Sequence, residues 1–84
     1  MSYVVRIHRK AGRFIRRITD ERVRTKLIDV IESLKHYPAV LRRLDVEKIR
    51  GMERTFRIRI GRYRIIFHVD KEEKIIYVTK VFIK

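Results

Sequence analysis

The spacing of apolar residues changes twice along the chain. In residues 3–8, Tyr3, Val5 and Ile7 alternate with Val4, Arg6 and His8, the period of two expected for a strand. From residue 11 the spacing lengthens. Ala11, Phe14, Ile15 and Ile18 fall on one side of a short helix whose other side carries Arg13, Arg16 and Arg17. Thr19-Asp20 offers an N-cap and starts a second helix with Val23, Leu27, Val30, Ile31 and Leu34 as its apolar stripe. Pro38 cannot continue a helix and stops this one soon after Lys35. Residues 39–53 hold Gly51 and mixed charge and read as a connecting loop. Alternation then returns in three segments, near 54–60, 63–70 and 74–83. The order predicts an α+β domain spanning 1–84, with both helices packed on one face of a small, largely antiparallel four-stranded sheet.

Gly61-Arg62 sits between the first two of those segments as a two-residue loop with Gly first, as a type II′ turn requires. That turn sets the register. Ile60 faces Tyr63, Ile58 faces Ile65 and Phe56 faces Phe67, all on one side of the hairpin. Arg59 facing Arg64, Arg57 facing Ile66 and Thr55 facing His68 make up the other side. Arg57, Arg59 and Arg64 are therefore expected to project together from the face that the helices leave open.

Charge sharpens this picture. The chain has 84 residues and a net charge of +13. Residues 1–19 carry six basic side chains and no acid, and residues 54–64 carry five and no acid, whereas residues 20–35 are balanced at four against four. Clustered positive charge on a small domain is the footprint of a polyanion binder. Arg59 opposite Arg64 costs of order 0.2–1 kcal/mol, because like charges meet across the ladder. The nearby acids, Glu53, Asp70, Glu72 and Glu73, fall at the far ends of these strands, and the last three read as a turn. The expected counter-charge is thus an external phosphate, which guanidinium forks bind bidentately.

Other chemistry is sparse. There is no cysteine, hence no disulfide and no thiolate zinc site. Three histidines without clustered acids give no metal site, and no phosphate-binding glycine loop is present. His68 shares the face of Arg64 and is a candidate acid/base, although a strand histidine on a surface is the plainer reading. His8 and His36 have no partner legible in the sequence. Tyr77 and Phe82 are candidates for stacking a base, set against a last strand that is apolar on both sides and reads as core. Met52 reads as core filler. A small core leaves no room for a deep cofactor cavity, and no cofactor is expected. No apolar run is long enough to span a membrane, and Arg6, Arg9 and Lys10 interrupt the start before a secretory apolar segment could form, so a cytoplasmic protein is expected. The absence of Asn, Gln and Cys with heavy charge usage suggests a thermophilic source.

The stretch KIRGMERTFRIRIGRYRIIFHVDKEEKIIYVTKV, residues 48–81, resembles the RelE/ParE superfamily of toxin–antitoxin toxins, and the RelE branch in particular. The lead-in K-I-R-G-M, the R-I-R of the second strand, the Y-R-I-I-F of the third and the acidic turn before an apolar last strand carry the resemblance. It implies two helices on a twisted sheet, and an mRNA interferase working in the ribosomal A site without a metal. In that chemistry the ribose 2′-hydroxyl attacks the adjacent phosphorus to leave a 2′,3′-cyclic phosphate and a 5′-hydroxyl. The family's catalytic basic residues fall on Arg57, Arg59 and Arg64. A further arginine near the family's C-terminus falls at or near Lys84, and its tyrosine has no counterpart. Arg54, Arg62, Arg13, Arg16 and Arg17 are the expected additional RNA contacts, and a cognate antitoxin protein, mRNA and the ribosome are the expected partners. Two alternatives stay open at this point: a ParE-type toxin that inhibits DNA gyrase, and a catalytically weak relic that binds RNA or antitoxin.

Overall fold

The computed structural model describes residues 2–84. Strand β1 (Val4–Ile7) leads into helix α1 (Arg9–Arg16) and helix α2 (Glu21–Ser33). His8 caps α1, its ring Nδ1 accepting from the backbone N–H of Lys10 at 3.1 Å, so this histidine has a local partner after all. Asp20 caps α2 through the N–H groups of Arg22 and Val23, satisfying donors that the first helical turn leaves open. Arg24 of α2 donates to the carbonyl of Ile18 at 2.6 Å and ties the helices together. After two short 3-10 turns, Leu34–His36 and Ala39–Arg43, come β2 (Val46–Lys48), β3 (Thr55–Ile60), β4 (Tyr63–Asp70) and β5 (Ile75–Ile83).

These strands form one five-stranded sheet in the order β1-β5-β4-β3-β2. Only β1 and β5 run parallel, and the chain between them is long enough for the crossover that a parallel pair needs. The expected fold class holds, with one strand more than expected. β2 lies within the segment read as a loop: it is three residues long, with Val46 turned to the core and Glu47 outward. A single apolar position is too short a pattern for periodicity to detect.

The core sits between the helices and one face of the sheet. Ala11, Ile15, Leu27 and Ile31 meet Ile58, Ile65, Phe67, Val69, Ile76 and Val78 there. Phe67 is fully buried and stacks on Phe56 at 5.2 Å between ring centroids, with Tyr37 edge-on to Phe67 at 6.5 Å. Burial raises the phenol pKa of Tyr37 above its ordinary value, and the neighbouring Tyr3 adds to the rise. Met52 does not join this core; it stands 54% exposed in the loop before β3. β5 is likewise not core on both sides, since Tyr77, Thr79, Lys80 and Ile83 are exposed. Among the described residues no helix is long and apolar enough to cross a membrane.

Candidate nucleic-acid interface

The β3–β4 turn has the expected geometry. Gly61 adopts φ +57°, while Arg62 stays out of the positive-φ region, as type II′ demands. The pairing Arg59↔Arg64, Arg57↔Ile66 and Thr55↔His68 follows, and alternate residues Ile58, Ile65 and Phe67 are fully buried under the helices. Arg57, Arg59 and Arg64 therefore stand on the open face, where they line one cleft of about 350 Å³ together with Lys84, Asp45 and Glu47. Lys84 is held there because its backbone N–H donates to the carbonyl of Arg62 at 2.9 Å.

The two acids overturn the expectation of uncompensated charge. β2 pairs with β3 so that Glu47 lies beside Arg57. Glu47 accepts from Nε of Arg57 at 2.9 Å and from its Nη2 as well. Asp45 accepts from Nε of Arg59 at 2.6 Å, and Nη2 of the same guanidinium stands 2.6 Å from Oδ2 as an ion pair. The side-chain hydrogen bond and the charge of Arg57 hold the Glu47 carboxyl below its ordinary pKa. Arg64 has no acid. Its Nη1 donates to the carbonyls of Gly61 and Tyr63 at 2.9 and 3.0 Å, so the side chain braces the turn and is half-buried rather than freely solvated.

Four cations against two carboxylates leave the cleft with a net charge of +2. The ion pairs are weak locks. Their side chains are 43–63% exposed, and pairs that open to water add little to stability. In each arginine the acid takes the Nε/Nη2 edge, and Nη1 of Arg57 and of Arg59 has no hydrogen-bond partner among the described residues. A phosphate can engage the open edges or displace the carboxylates at small cost. The carboxylates of the cleft are Asp45 and Glu47. Their signal in the sequence was the D-V-E alternation at residues 45–47, which matches the R-I-R of β3 in parity.

The remaining expected contacts are dispersed. His68 lies four residues along β4 from Arg64, roughly 13 Å away, and its Nδ1 is engaged with the hydroxyl of buried Thr55 at 3.1 Å. Arg54 is exposed beside Glu53 at the far end of β3. Arg62 belongs to a separate groove of about 540 Å³ between α2 and the turn, where Asp20, Arg22 and Lys26 surround Val23, Ile60 and Tyr63. That groove is larger than the cleft, but its charges are mixed and its floor is apolar. Arg13, Arg16 and Arg17 are exposed around α1, which packs on the covered side of the sheet.

Comparison with known proteins bears on the family and the fold. The family model described as the ParE toxin of type II toxin–antitoxin systems, parDE, matches residues 5–83. A Methanocaldococcus jannaschii protein provisionally named toxin RelE1 is 26% identical over 81 residues, covering 96% of this chain and 89% of its own. The RelE of the RelE–RelB complex from Pyrococcus horikoshii OT3 superposes with a TM-score of 0.84 at 25% identity, covering 99% of this chain and 96% of its own. The Mycobacterium tuberculosis toxin–antitoxin complex RelBE2 supplies a further match, with a TM-score of 0.77 at 24% identity and full coverage of both chains. With the family model matched over nearly its whole length, the chain belongs to the ParE toxin family within the RelE/ParE superfamily, and is a toxin of a type II toxin–antitoxin system.

Proposed function

We propose that this toxin is a ribosome-dependent mRNA endonuclease of the RelE type, restrained by a RelB-type antitoxin. The observation that carries the reading is the convergence of Arg57, Arg59, Arg64 and Lys84 on one open-face cleft that also holds two carboxylates. The arginines hold the scissile phosphate and meet the charge that grows on its nonbridging oxygens. They cannot act as bases, since a guanidinium keeps its proton above about pH 12. Proton transfer from the ribose 2′-hydroxyl therefore falls to Asp45 or Glu47. The 2′-oxygen bonds to phosphorus, its proton passes to the carboxylate, and the 5′-oxygen departs with a proton from the Lys84 ammonium, the cation of the cleft that can give one up. The products are a 2′,3′-cyclic phosphate and a 5′-hydroxyl, with no metal involved. The antitoxin partner is supported by the RelE–RelB complexes to which the chain is similar.

The matching ParE family model favours a second reading, inhibition of DNA gyrase. One pair of assays separates them. Purified toxin added to translating ribosomes is expected to yield messages cut in the A site with cyclic-phosphate ends, and to leave gyrase supercoiling unaffected. Supercoiling inhibition with intact messages would establish the second reading. Salt-sensitive RNA binding with neither activity would mark a binding-only member.

A further inference from the structure

Strand β5 breaks its alternation once. Ile66 pairs with Lys80, but Phe67 pairs with Val78, so Thr79 is an extra residue bulged out of the ladder. On one side of the bulge, Lys80 and Phe82 share the open face with Ile66 and Arg64; on the other, the open-face residue is Tyr77, opposite His68. The core side receives Val81, Val78 and Ile76. An unbroken strand carrying Phe82 on the open face would have turned Val78 outward and Tyr77 into the core. Bulges re-aim side chains in this way, often beside functional sites.

The result is a pair of aromatic rings on the same face as the arginine cleft. Phe82 is the direct cross-strand neighbour of Arg64. Tyr77 is 37% exposed and lies roughly 13 Å further along, four residues of β4 away. The Lys80 ammonium sits 5.1 Å from the Phe82 centroid. Phe82 is partly buried and Tyr77 exposed; a cationic groove flanked by accessible aromatic faces is how proteins hold single strands, since every base has a π-face and a duplex hides its own.

We infer that Phe82, supported by Tyr77, is a stacking platform for unpaired bases flanking the phosphate held by Arg57, Arg59 and Arg64, so that the ligand is a single-stranded RNA. The inference rests on the phosphate-binding reading of the cleft. The Lys80 cation does not block the platform. An exposed cation–π contact is worth about twofold to fivefold in an equilibrium, a base on an aromatic roughly fivefold to 150-fold, so a base displaces the flexible ammonium towards the flanking phosphates. A protein partner would also use a partly exposed Phe, but this ring is bordered on its own face by Arg64, Lys80 and Ile66, which suits a polyanion with apolar faces.

The test is a fluorescence titration of the intact chain with a short unstructured oligoribonucleotide carrying one 2-aminopurine, repeated with an abasic spacer at that position. Wild type is expected to quench the probe. Phe82→Leu, which keeps apolar area without a π-face, should lose the quench and weaken Kd by roughly fivefold to 150-fold. Phe82→Tyr should restore both, and circular dichroism should show all variants folded. The salt slope should stay at its wild-type value in Phe82→Leu, and the abasic oligonucleotide should bind wild type and Phe82→Leu alike. Tight binding with full quench in Phe82→Leu would overturn the stacking role alone. So would a Phe82→Leu chain that binds RNA normally but loses its antitoxin, which would reassign the ring to the protein partner. A wild type without salt-dependent RNA binding would overturn the phosphate reading and this one together.

Discussion

Arg13, Arg16 and Arg17 on α1 and Arg57, Arg59 and Arg64 on the hairpin are alike in the sequence. Both sets interleave with apolar residues and have no acid between their members. In the fold they part. The α1 set is exposed and makes no ion pair among the described residues. In the hairpin set, two members are paired with Asp45 and Glu47 and the third is braced against backbone carbonyls. Solvated charge on a helix attracts a polyanion at a distance. Charge fixed on a rigid sheet, oriented by hydrogen bonds and covered only by weakly held carboxylates, can bind one phosphate in a defined geometry. On the proposed reading, position in the tertiary structure, and not amount of charge, separates steering from recognition.

Four changes break or sharpen this contrast. The largest effect is expected from Arg64→Ala, which removes a pre-placed donor and should lower message cleavage by about 10²–10³ and abolish growth arrest. Because Arg64 also braces the turn, its melting temperature should fall slightly; full cleavage by a folded Arg64→Ala chain would remove the hairpin set from catalysis. Replacing Arg13, Arg16 and Arg17 together by Ala should weaken RNA binding by roughly tenfold or less at moderate salt and flatten the log–log salt slope. Single-turnover cleavage of bound message should be unchanged. If that triple variant instead lost cleavage as severely as Arg64→Ala, the division between the two sets would fail.

Asp45→Asn with Glu47→Gln should act in opposite directions on two readouts. Exposed pairs of this kind are weak, so freeing the forks should tighten RNA binding modestly, by up to about fivefold per pair, and steepen the salt slope, while removal of the proton acceptors should slow cleavage by about 10²-fold. Weaker RNA binding in this variant would show that the acids organise the arginines and do not compete with phosphate.

The smallest effect concerns pH. Glu47 has a folded-state pKa below its ordinary value of 4.5, so its contribution to stability is fully present above pH 4.5 and is lost as pH falls through the lower folded value. A wild-type melting temperature that exceeds that of Glu47→Gln at neutral pH should converge on it in strong acid, while RNA binding by wild type rises towards that of the variant as Arg57 is released. A constant difference between the two melting curves from pH 7 to pH 2 would contradict the pairing.

Much of this arrangement follows from local pattern. The alternation of residues 3–8, the spacing of Ala11, Phe14 and Ile15, the Asp20 cap and the Gly61-Arg62 turn are short-range signals. A tight turn transmits its register along both strands, so the shared face of Arg57, Arg59 and Arg64 was legible before any coordinates. The family resemblance sat on the same hairpin residues. What only the tertiary structure decided is what approaches that hairpin from its edges. β2 brings Asp45 and Glu47 against arginines more than nine residues away in the chain, through a strand too short to leave a periodic signature. The bulge at Thr79 reverses the facing of β5 midway, so a strand apolar at both parities resolves into core residues on one side and Tyr77 and Phe82 on the other. Periodicity describes a strand against itself. Counter-charges and bulges depend on how strands meet one another, and that is set by the packing of the whole sheet.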